Sequence, residues 1–119
     1  VASELADKVY AIDVARREVI AEIATGAYPN GIAVHPDGSR VFVSNGRDGS
    51  VMAIDVVSQS VIARIEVGKR PWNMAITPDG QKLYVANGRS GTVSVIDAAN
   101  LKPLGEIPVG ELPWGVSIR

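Results

Sequence analysis

Residues 71–97 decide the fold, and they read Pro-Trp-Asn-Met-Ala-Ile-Thr-Pro-Asp-Gly-Gln-Lys-Leu-Tyr-Val-Ala-Asn-Gly-Arg-Ser-Gly-Thr-Val-Ser-Val-Ile-Asp. Three short apolar runs, rich in β-branched side chains, are separated by Pro-Asp-Gly and by Asn-Gly-Arg-Ser-Gly. Such runs predict β-strands, and the Gly, Pro and Asp residues between them predict tight turns. The stretch therefore predicts three successive antiparallel strands, a, b and c, over residues 74–76, 83–86 and 93–96.

The same pattern recurs every 42 residues along the chain. Aligning residues 26–67 with residues 68–109 gives 16 identities without a gap. The repeat adds a fourth strand, d, over residues 18–23, 61–67 and 104–109, and in the middle unit Val61, Ala63, Ile65 and Val67 are expected on one face. The other strands are expected at 31–34 and 115–118 for a, 41–44 for b, and 9–12 and 51–54 for c. The chain divides into a partial unit 1–25, full units 26–67 and 68–109, and a partial unit 110–119.

A four-stranded unit of this length has the size of a β-propeller blade. The sequence therefore predicts an all-β fold of four-stranded antiparallel blades. Residues 1–119 form a single propeller segment of about 2.8 blades, since the chain is slightly shorter than three repeats.

Residues 71–97 also resemble the YVTN β-propeller repeat. The signature tetrad falls on Tyr84-Val85-Ala86-Asn87, with Ala in place of Thr, and more loosely on Phe42-Val43-Ser44-Asn45. Val1-Ala2-Ser3 aligns with the end of the same strand, so the resemblance covers essentially the whole chain. It implies a surface-layer, cell-wall or periplasmic protein, hence an extracytoplasmic location, and its relatives include haem-d1 and quinone-enzyme-associated propellers.

Three blades are too few to close a propeller, which has about four to eight. Two broad apolar faces would stay open, and such faces drive association. One interpretation is that further blades come from the same parent chain, which the absence of an initiator Met favours. The other is a homodimer of about six blades, in which residues 114–118 of one copy complete the sheet begun by residues 1–23 of the other.

Composition excludes several classes of function. Lys and Arg total 12 against 13 for Asp and Glu, and a net charge of −1 argues against nucleic-acid binding. There is no Cys. A membrane-spanning helix needs about 18 consecutive apolar residues, and no apolar run in this chain is that long, so we expect no membrane insertion. Residues 1–7 show no signal peptide. No catalytic triad, phosphate loop or dinucleotide fingerprint occurs, so we predict no enzyme activity, no catalytic residue and no cofactor.

Residues that repeat are expected to be architectural. Asp13, Asp55 and Asp97 each follow strand c at the same spacing, so they are expected to cap turns rather than to act as catalysts. His35 is the only His and precedes a Pro-Asp-Gly turn, where we expect it on the surface. A metal site needs further ligands beside His35, and the chain has no second His and no Cys, so no metal site is predicted.

Loops of alternating strands predict a binding surface. The d–a and b–c loops fall on the same end of the blades, because successive strands reverse direction. Binding residues are frequent on loops held by a rigid scaffold. The candidates are Arg47, Lys69, Arg70, Trp72, Arg89 and Trp114. They form either a surface for an anionic ligand, a glycan or a protein, or merely solvated charge and blade-packing Trp side chains.

Three functions remain open at this point. The first is a non-catalytic propeller module with a structural or interaction role. The second is a segment of a periplasmic oxidoreductase-type propeller, associated with haem d1 or a quinone, whose cofactor site lies in blades outside this chain. The third is a designed or excised repeat segment without an evolved ligand. One His, no Cys and two Met in strands provide no cluster of axial haem ligands.

Overall fold

The computed structural model describes all 119 residues, Val1–Arg119, and consists of strands, turns and loops. Its eleven strands are β1 (Ala2–Ser3), β2 (Lys8–Asp13), β3 (Glu18–Ala24), β4 (Pro29–Val34), β5 (Arg40–Asn45), β6 (Ser50–Asp55), β7 (Ser60–Glu66), β8 (Pro71–Ile76), β9 (Lys82–Asn87), β10 (Thr92–Asp97) and β11 (Lys102–Pro108). No helix of a length and hydropathy suited to crossing a membrane is present.

The strands form three separate antiparallel sheets. Blade 1 is β1–β2–β3, blade 2 is β4–β5–β6–β7 and blade 3 is β8–β9–β10–β11, each hydrogen-bonded in sequence order. Blades 2 and 3 have four strands, and blade 1 has three. The predicted all-β fold of propeller blades is confirmed.

The sequence repeat is also a repeat of strand register. Ile32 of β4 pairs with Val43 of β5, and Met74 of β8 pairs with Val85 of β9, one repeat later. The first strands of blades 2 and 3, β4 and β8, lie against each other. We call them the inner strands, since β7 and β11 lie at the other edges of their sheets.

The core lies between the sheets. One cluster joins blades 2 and 3 and contains Phe42, Leu83 and Ile96, which are fully or almost fully buried. A smaller cluster joins blades 1 and 2 and contains Val43 and Val9. Phe42 and Val43 are neighbours in β5, so their side chains point to opposite faces and pack on different blades. Burying each large side chain contributes about 1.5–3 kcal/mol.

A bulge interrupts strand d in every blade. In β7, Val61 and Ala63 pair with consecutive residues of β6, so Ile62 is an extra residue between them. Val61 and Ala63 therefore lie on opposite faces, and the prediction of one apolar face for strand d is wrong at Val61. The same register shift leaves Ile20 in β3 and Leu104 in β11 as extra residues. A bulge increases local twist, which suits sheets that pack around an axis.

The turns form at the predicted residue types. Gly38 and Gly80 of the two Pro-Asp-Gly turns have φ of 75° and 73°, which lie in the left-handed region. In the b–c loops, positive φ falls on Gly49 and Gly91 rather than on the glycine that follows Asn. The loop is a five-residue turn, in which the Gly49 N–H donates to the Asn45 carbonyl at 3.1 Å.

The third strand a does not form. Residues 115–118 have no ladder partner, because residues 1–119 contain no strand b after them. Residues 109–119, which we call the tail, instead run against blade 3, where the Trp114 ring contacts the ring of Trp72 in a tilted arrangement.

Polar bridges join blades 2 and 3 beside the core. His35 Nε2 donates to the Gly80 carbonyl at 3.0 Å. The Arg40 guanidinium donates to the carbonyls of Ala98 and Ala99, both at 3.0 Å. These bonds link the a–b turn and β5 of one blade to the turns of the next, so they fix the relative position of the two sheets.

The two Pro-Asp-Gly glycines allow a matched test of the bridge. A Cβ at Gly80 would lie 2.5 Å from His35 Nε2, whereas a Cβ at Gly38 meets nothing within 4 Å. Both positions have positive φ, so both Ala variants share the same backbone strain of about 1–2 kcal/mol. We expect Gly80→Ala to lower the free energy of unfolding by about 1 kcal/mol more than Gly38→Ala, because it also disrupts a hydrogen bond. Urea denaturation measures the difference.

A His35→Ala background serves as the control. Removing the ring removes the obstacle, so the two Gly→Ala substitutions should then cost the same. Equal losses in the unmodified chain would contradict the interblade contact.

Candidate functional site

Loops from neighbouring strands meet at one end of the blades, which we call the rim. The Gly46 N–H donates to the Tyr28 carbonyl at 2.8 Å, and the Gly88 N–H donates to the Arg70 carbonyl at 2.9 Å. These bonds tie each b–c loop to the d–a loop that precedes it in the same repeat unit. The placement of both loop types on one face follows the sequence prediction.

The d–a loops share a constrained backbone. Tyr28 and Arg70 have φ of 63° and 57°, and Leu112 at the equivalent position has 51°. Non-glycine residues rarely adopt this left-handed conformation. Because it recurs at the repeat spacing, it belongs to the scaffold, and the side-chain type at this position is what changes from blade to blade.

A cavity of about 570 Å³ opens on the rim between blades 2 and 3. We call it the rim cavity, and four of the six predicted surface residues line it: Arg47, Lys69, Arg70 and Arg89. The ion pairs of the structure involve other cations, so none of these four has a carboxylate partner within 4.0 Å.

Two carboxylates also line the rim cavity, Asp48 and Glu66. Asp48 is already engaged, because its Oδ2 lies 3.2 Å from an Arg64 guanidinium nitrogen and accepts the Ala27 N–H at 2.8 Å. The cavity therefore has four cations against two carboxylates, one of them bound elsewhere, and its electrostatic field favours an anion.

Tyr28 organises two of the cations. The Arg47 guanidinium carbon lies 4.6 Å from the Tyr28 ring centroid, and the Arg70 carbon lies 4.9 Å from it. Each such contact contributes about 0.5–1 kcal/mol at an exposed site. Sequence reasoning missed Tyr28 as a site residue. The signal was present, since Tyr28 stands where the other units have Arg70 and Leu112.

The two predicted Trp residues lie at a neighbouring cavity of about 550 Å³, at the start of the inner strands. The ring centroids of Trp72 and Trp114 are 3.6 Å apart and their planes are inclined at 57°. Trp114 is 70% exposed, whereas the Trp72 Nε1 is buried without a hydrogen-bond partner. Arg70 links the two cavities, because its guanidinium lies 5.9 Å from the Trp72 ring.

The repeated acids cap turns, as predicted. Asp13, Asp55 and Asp97 each accept a backbone N–H from the residue three positions later, at 2.7–3.0 Å. Hydrogen bonds from Ser58 lower the pKa of Asp55, and hydrogen bonds from Asn100 lower the pKa of Asp97. The turns around Asp55 and Asp97 therefore favour the ionised form of these two carboxylates.

His35 has a structural role between blades. Its Nε2 donates to Gly80 and its Nδ1 lies 2.7 Å from Asp37 Oδ1, so both ring nitrogens are engaged and the ring is largely buried. The prediction of a surface ring is therefore wrong for His35. Nowhere do three or more His, Asp or Glu side chains come together as a metal site would require.

Three packed antiparallel sheets of one repeat, two with four strands and one with three, carry a loop-built rim at one end and define a segment of a β-propeller. A family model described as "Cytochrome D1 heme domain" matches residues 1–115, and the chain belongs to that family. No curated protein matches the chain.

Solved structures share the fold. Hydrazine synthase from Kuenenia stuttgartiensis is similar with 29% identity and a TM-score of 0.91, over 94% of this chain and 33% of that chain. Dihydro-heme d1 dehydrogenase NirN, in complex with DHE, has 27% identity and a TM-score of 0.77, over 92% of this chain and 26% of that chain. AztD from Citrobacter koseri, at 22% identity and a TM-score of 0.77, shows the fold alone. The chain spans about a third or less of these proteins.

The family name implies a haem, and the residues fit such a group only in part. The cations of the rim cavity suit the carboxylates of a macrocycle. Its iron needs an axial ligand such as His, Met or Tyr. His35 is bound between blades, Met74 is buried, the Met52 sulfur accepts the Gly26 N–H, and Tyr28 lies between two guanidiniums. The residues that line the rim cavity therefore include no His, Met or Tyr that could ligate the iron.

Acid sensitivity provides a test of the turn carboxylates. Hydrogen bonds from the Ser39 side chain and backbone lower the pKa of Asp37 from 3.8 to about 2. The unfolded chain therefore takes up this proton first, so the stabilisation is present above about pH 4 and is lost as the pH falls towards 2. Asn accepts the same bonds without titrating. We expect Asp37→Asn to show a shallower fall of melting temperature between pH 5 and pH 2 than the unmodified chain, followed by circular dichroism.

Glu111→Gln is the matched control, because the Glu111 carboxylate has no ion pair and accepts no hydrogen bond from the protein. Its pH profile should follow that of the unmodified chain. Parallel profiles for all three proteins would contradict the assigned role of Asp37.

Proposed function

We propose that this chain is a non-catalytic binding segment of a larger, extracytoplasmic β-propeller, and that its rim cavity binds an anion with at least two carboxylate or phosphate groups. The observation that carries the proposal is that the guanidiniums of Arg47 and Arg70 both lie over the Tyr28 ring and that neither has a carboxylate partner. Two like charges on one ring, with a third and fourth cation in the same cavity, are stabilised by an added anion.

The chemistry of the lining supports binding. Guanidinium groups present planar forks of N–H donors that match carboxylate and phosphate oxygens. The rim cavity also has a volume in the range of small-molecule sites, about 300–1,000 Å³. Its lining includes Gly46, Gly49 and Gly68, where a Cβ would meet Tyr28, Gly68 and Asn87 of the protein itself, so these glycines allow the loops around the cavity to pack closely.

The proposal also includes the role of the module and its location outside the cytoplasm. Propeller loops are a scaffolded surface, and the YVTN-like repeat supports a surface-layer or periplasmic interaction module rather than an enzyme. The family match supports the same extracytoplasmic location. Proteins and glycans that carry acidic groups would bind to the same cations through their carboxylate or phosphate oxygens.

Isothermal titration with citrate and with inorganic pyrophosphate tests the rim cavity. We expect saturable binding that weakens between 50 and 200 mM NaCl, since exposed charges are screened over about 8–10 Å. Arg70→Gln should weaken binding at least tenfold, because it removes a charge and both aromatic contacts. Arg70→Lys should restore it only in part, since Lys lacks the planar fork.

Arg16→Gln is the control, because Arg16 lies in the c–d turn of blade 1, away from the rim. It should leave both affinities unchanged. An absence of binding at millimolar anion, or an equal loss in Arg16→Gln, would overturn the anion-binding function.

A second function is favoured by the family match and by the 27% identity to NirN. In it the chain is a segment of a redox propeller, its rim cations take the carboxylates of a haem d1-type macrocycle, and the iron ligand comes from blades outside this chain. Haem supplies redox chemistry through its iron. The interaction module and the redox segment share the rim cavity and differ in the ligand.

Titration with metal-free mesoporphyrin and with haemin separates the two. Preference for mesoporphyrin over citrate, with Trp fluorescence quenched and with loss of that preference in Arg70→Gln, favours the redox segment. Equal or weaker binding of mesoporphyrin favours the general anion site. A haemin spectrum that shifts in the way an axial ligand produces would contradict the absence of an iron ligand at the rim cavity.

A further inference from the structure

Two carboxylates of the chain close the junction between the rim loops of blades 1 and 2. The Ala27 N–H of the d–a loop donates to Asp48 Oδ2 at 2.8 Å. The next N–H of the same loop, that of Tyr28, donates to Asp7 Oδ1, also at 2.8 Å. Asp7 lies in the b–c loop of blade 1 and Asp48 in the b–c loop of blade 2, so the d–a loop is held by an acid from each side.

The junction between blades 2 and 3 has the same N–H groups but neither carboxylate. The Lys69 N–H donates to the neutral Ser90 Oγ at 2.6 Å. Gly49 stands at the position of Asp7, one repeat later, and has no side chain. The Arg70 N–H, which is equivalent to that of Tyr28, accordingly donates to no acceptor within the chain. The acids of the first junction are thus replaced by a hydroxyl and by a glycine.

Asp7 and Gly49 have the same backbone conformation and the same backbone partners. Their φ values are 51° and 63°, both in the left-handed region. The Asp7 carbonyl accepts the Thr25 N–H at 3.0 Å, and the Gly49 carbonyl accepts the Val67 N–H at 2.9 Å. Gly49 and Arg70 both line the rim cavity. A carboxylate placed as that of Asp7 is placed would therefore lie in this cavity and accept the Arg70 N–H.

We propose that a carboxylate of the bound anion takes, at the second junction, the place that the Asp7 side chain has at the first, with one oxygen accepting the Arg70 N–H. We call the place bounded by Gly49, Gly68 and the Arg70 N–H the carboxylate seat. This inference rests on the proposed anion-binding function and specifies which group of the ligand is recognised. Lys69 and Arg89 in the same lining supply positive charge for a second anionic group of the ligand.

The surroundings of the carboxylate seat favour a carboxylate over a phosphate. A Cβ at Gly49 would lie 3.2 Å from the Gly68 carbonyl oxygen. When the group is a carboxylate on a short arm, as in Asp7, a carbon occupies this point, and a C–H group tolerates a carbonyl oxygen at such a distance. A phosphate bound to the same N–H has oxygens on all sides, so it would bring a second anionic oxygen towards the carbonyl oxygen, and the two would repel each other.

Gly49→Asn tests the carboxylate seat, because Asn adopts the left-handed conformation readily and its Oδ1 accepts the Arg70 N–H without adding charge. We expect isothermal titration to show citrate binding weakened about tenfold, the effect of one lost hydrogen bond to a charged group. The affinity for inorganic pyrophosphate should stay nearly unchanged. Gly38→Asn is the matched control, since Gly38 also has positive φ and a Cβ there would meet nothing within 4 Å. It should leave both affinities unchanged.

Amide NMR spectroscopy identifies the donor and verifies that the variant is folded. Citrate should move the Arg70 amide proton downfield in the unmodified chain. In Gly49→Asn that resonance should already lie downfield, and citrate should not move it further. An unchanged citrate affinity in Gly49→Asn, or an equal loss for citrate and pyrophosphate, would overturn the carboxylate seat while leaving the anion-binding function intact. An unmodified chain that binds neither anion would overturn the proposed function itself, and the seat with it.

Discussion

Face-to-face packing of neighbouring sheets is the interaction on which the rest of the structure depends. Phe42 from blade 2 and Leu83 and Ile96 from blade 3 have no exposed surface, and they are buried only because the two sheets meet. A single four-stranded sheet of this composition has two apolar faces and cannot bury either by itself. Stability therefore resides in contacts between adjacent repeats, as in other repeat proteins. The same constraint explains the open faces of blades 1 and 3, where the chain has no neighbour for them.

Much of this architecture was predictable, because a repeat fixes many positions at once. The 42-residue spacing and the turn residues located the blades and the turns. What failed depended on partners that lie far apart in sequence. Residues 115–118 carry a strand pattern but form no ladder, since a strand needs a neighbour as well as a pattern. The bulge at Ile62 was hidden for a related reason: alternation in one strand carries no information about its register against the next. His35 was misplaced because only the neighbouring blade, through Gly80, covers its ring.

At the rim, the sequence predicted where the loops lie but not the side-chain contacts between them. Strand alternation was enough to place Arg47, Lys69, Arg70 and Arg89 on one end of the blades, and the structure brings all four to one cavity. It was not enough to find Tyr28, whose importance comes from the two guanidiniums on its ring rather than from its own chemistry. Nor did it show that Trp72 and Trp114 belong to a second cavity, where their rings are in tilted contact. Side-chain contacts of this kind depend on loop conformation, and here that conformation includes left-handed residues at 28 and 70.

Two cations of the rim cavity, Lys69 and Arg47, have no counterpart in at least one other unit of the repeat. At the position of Lys69 the other units have Ala27 and Glu111, and at the position of Arg47 the first unit has Leu5. A ring of identical blades would distribute any charge evenly around its rim, whereas this chain concentrates cations where the loops of blades 2 and 3 meet. Both blades that build the junction are complete within residues 26–109, and their sheets are fixed by the core and by the polar bridges from His35 and Arg40. The rim cavity is therefore held by parts of the fold that do not depend on how the ring is closed.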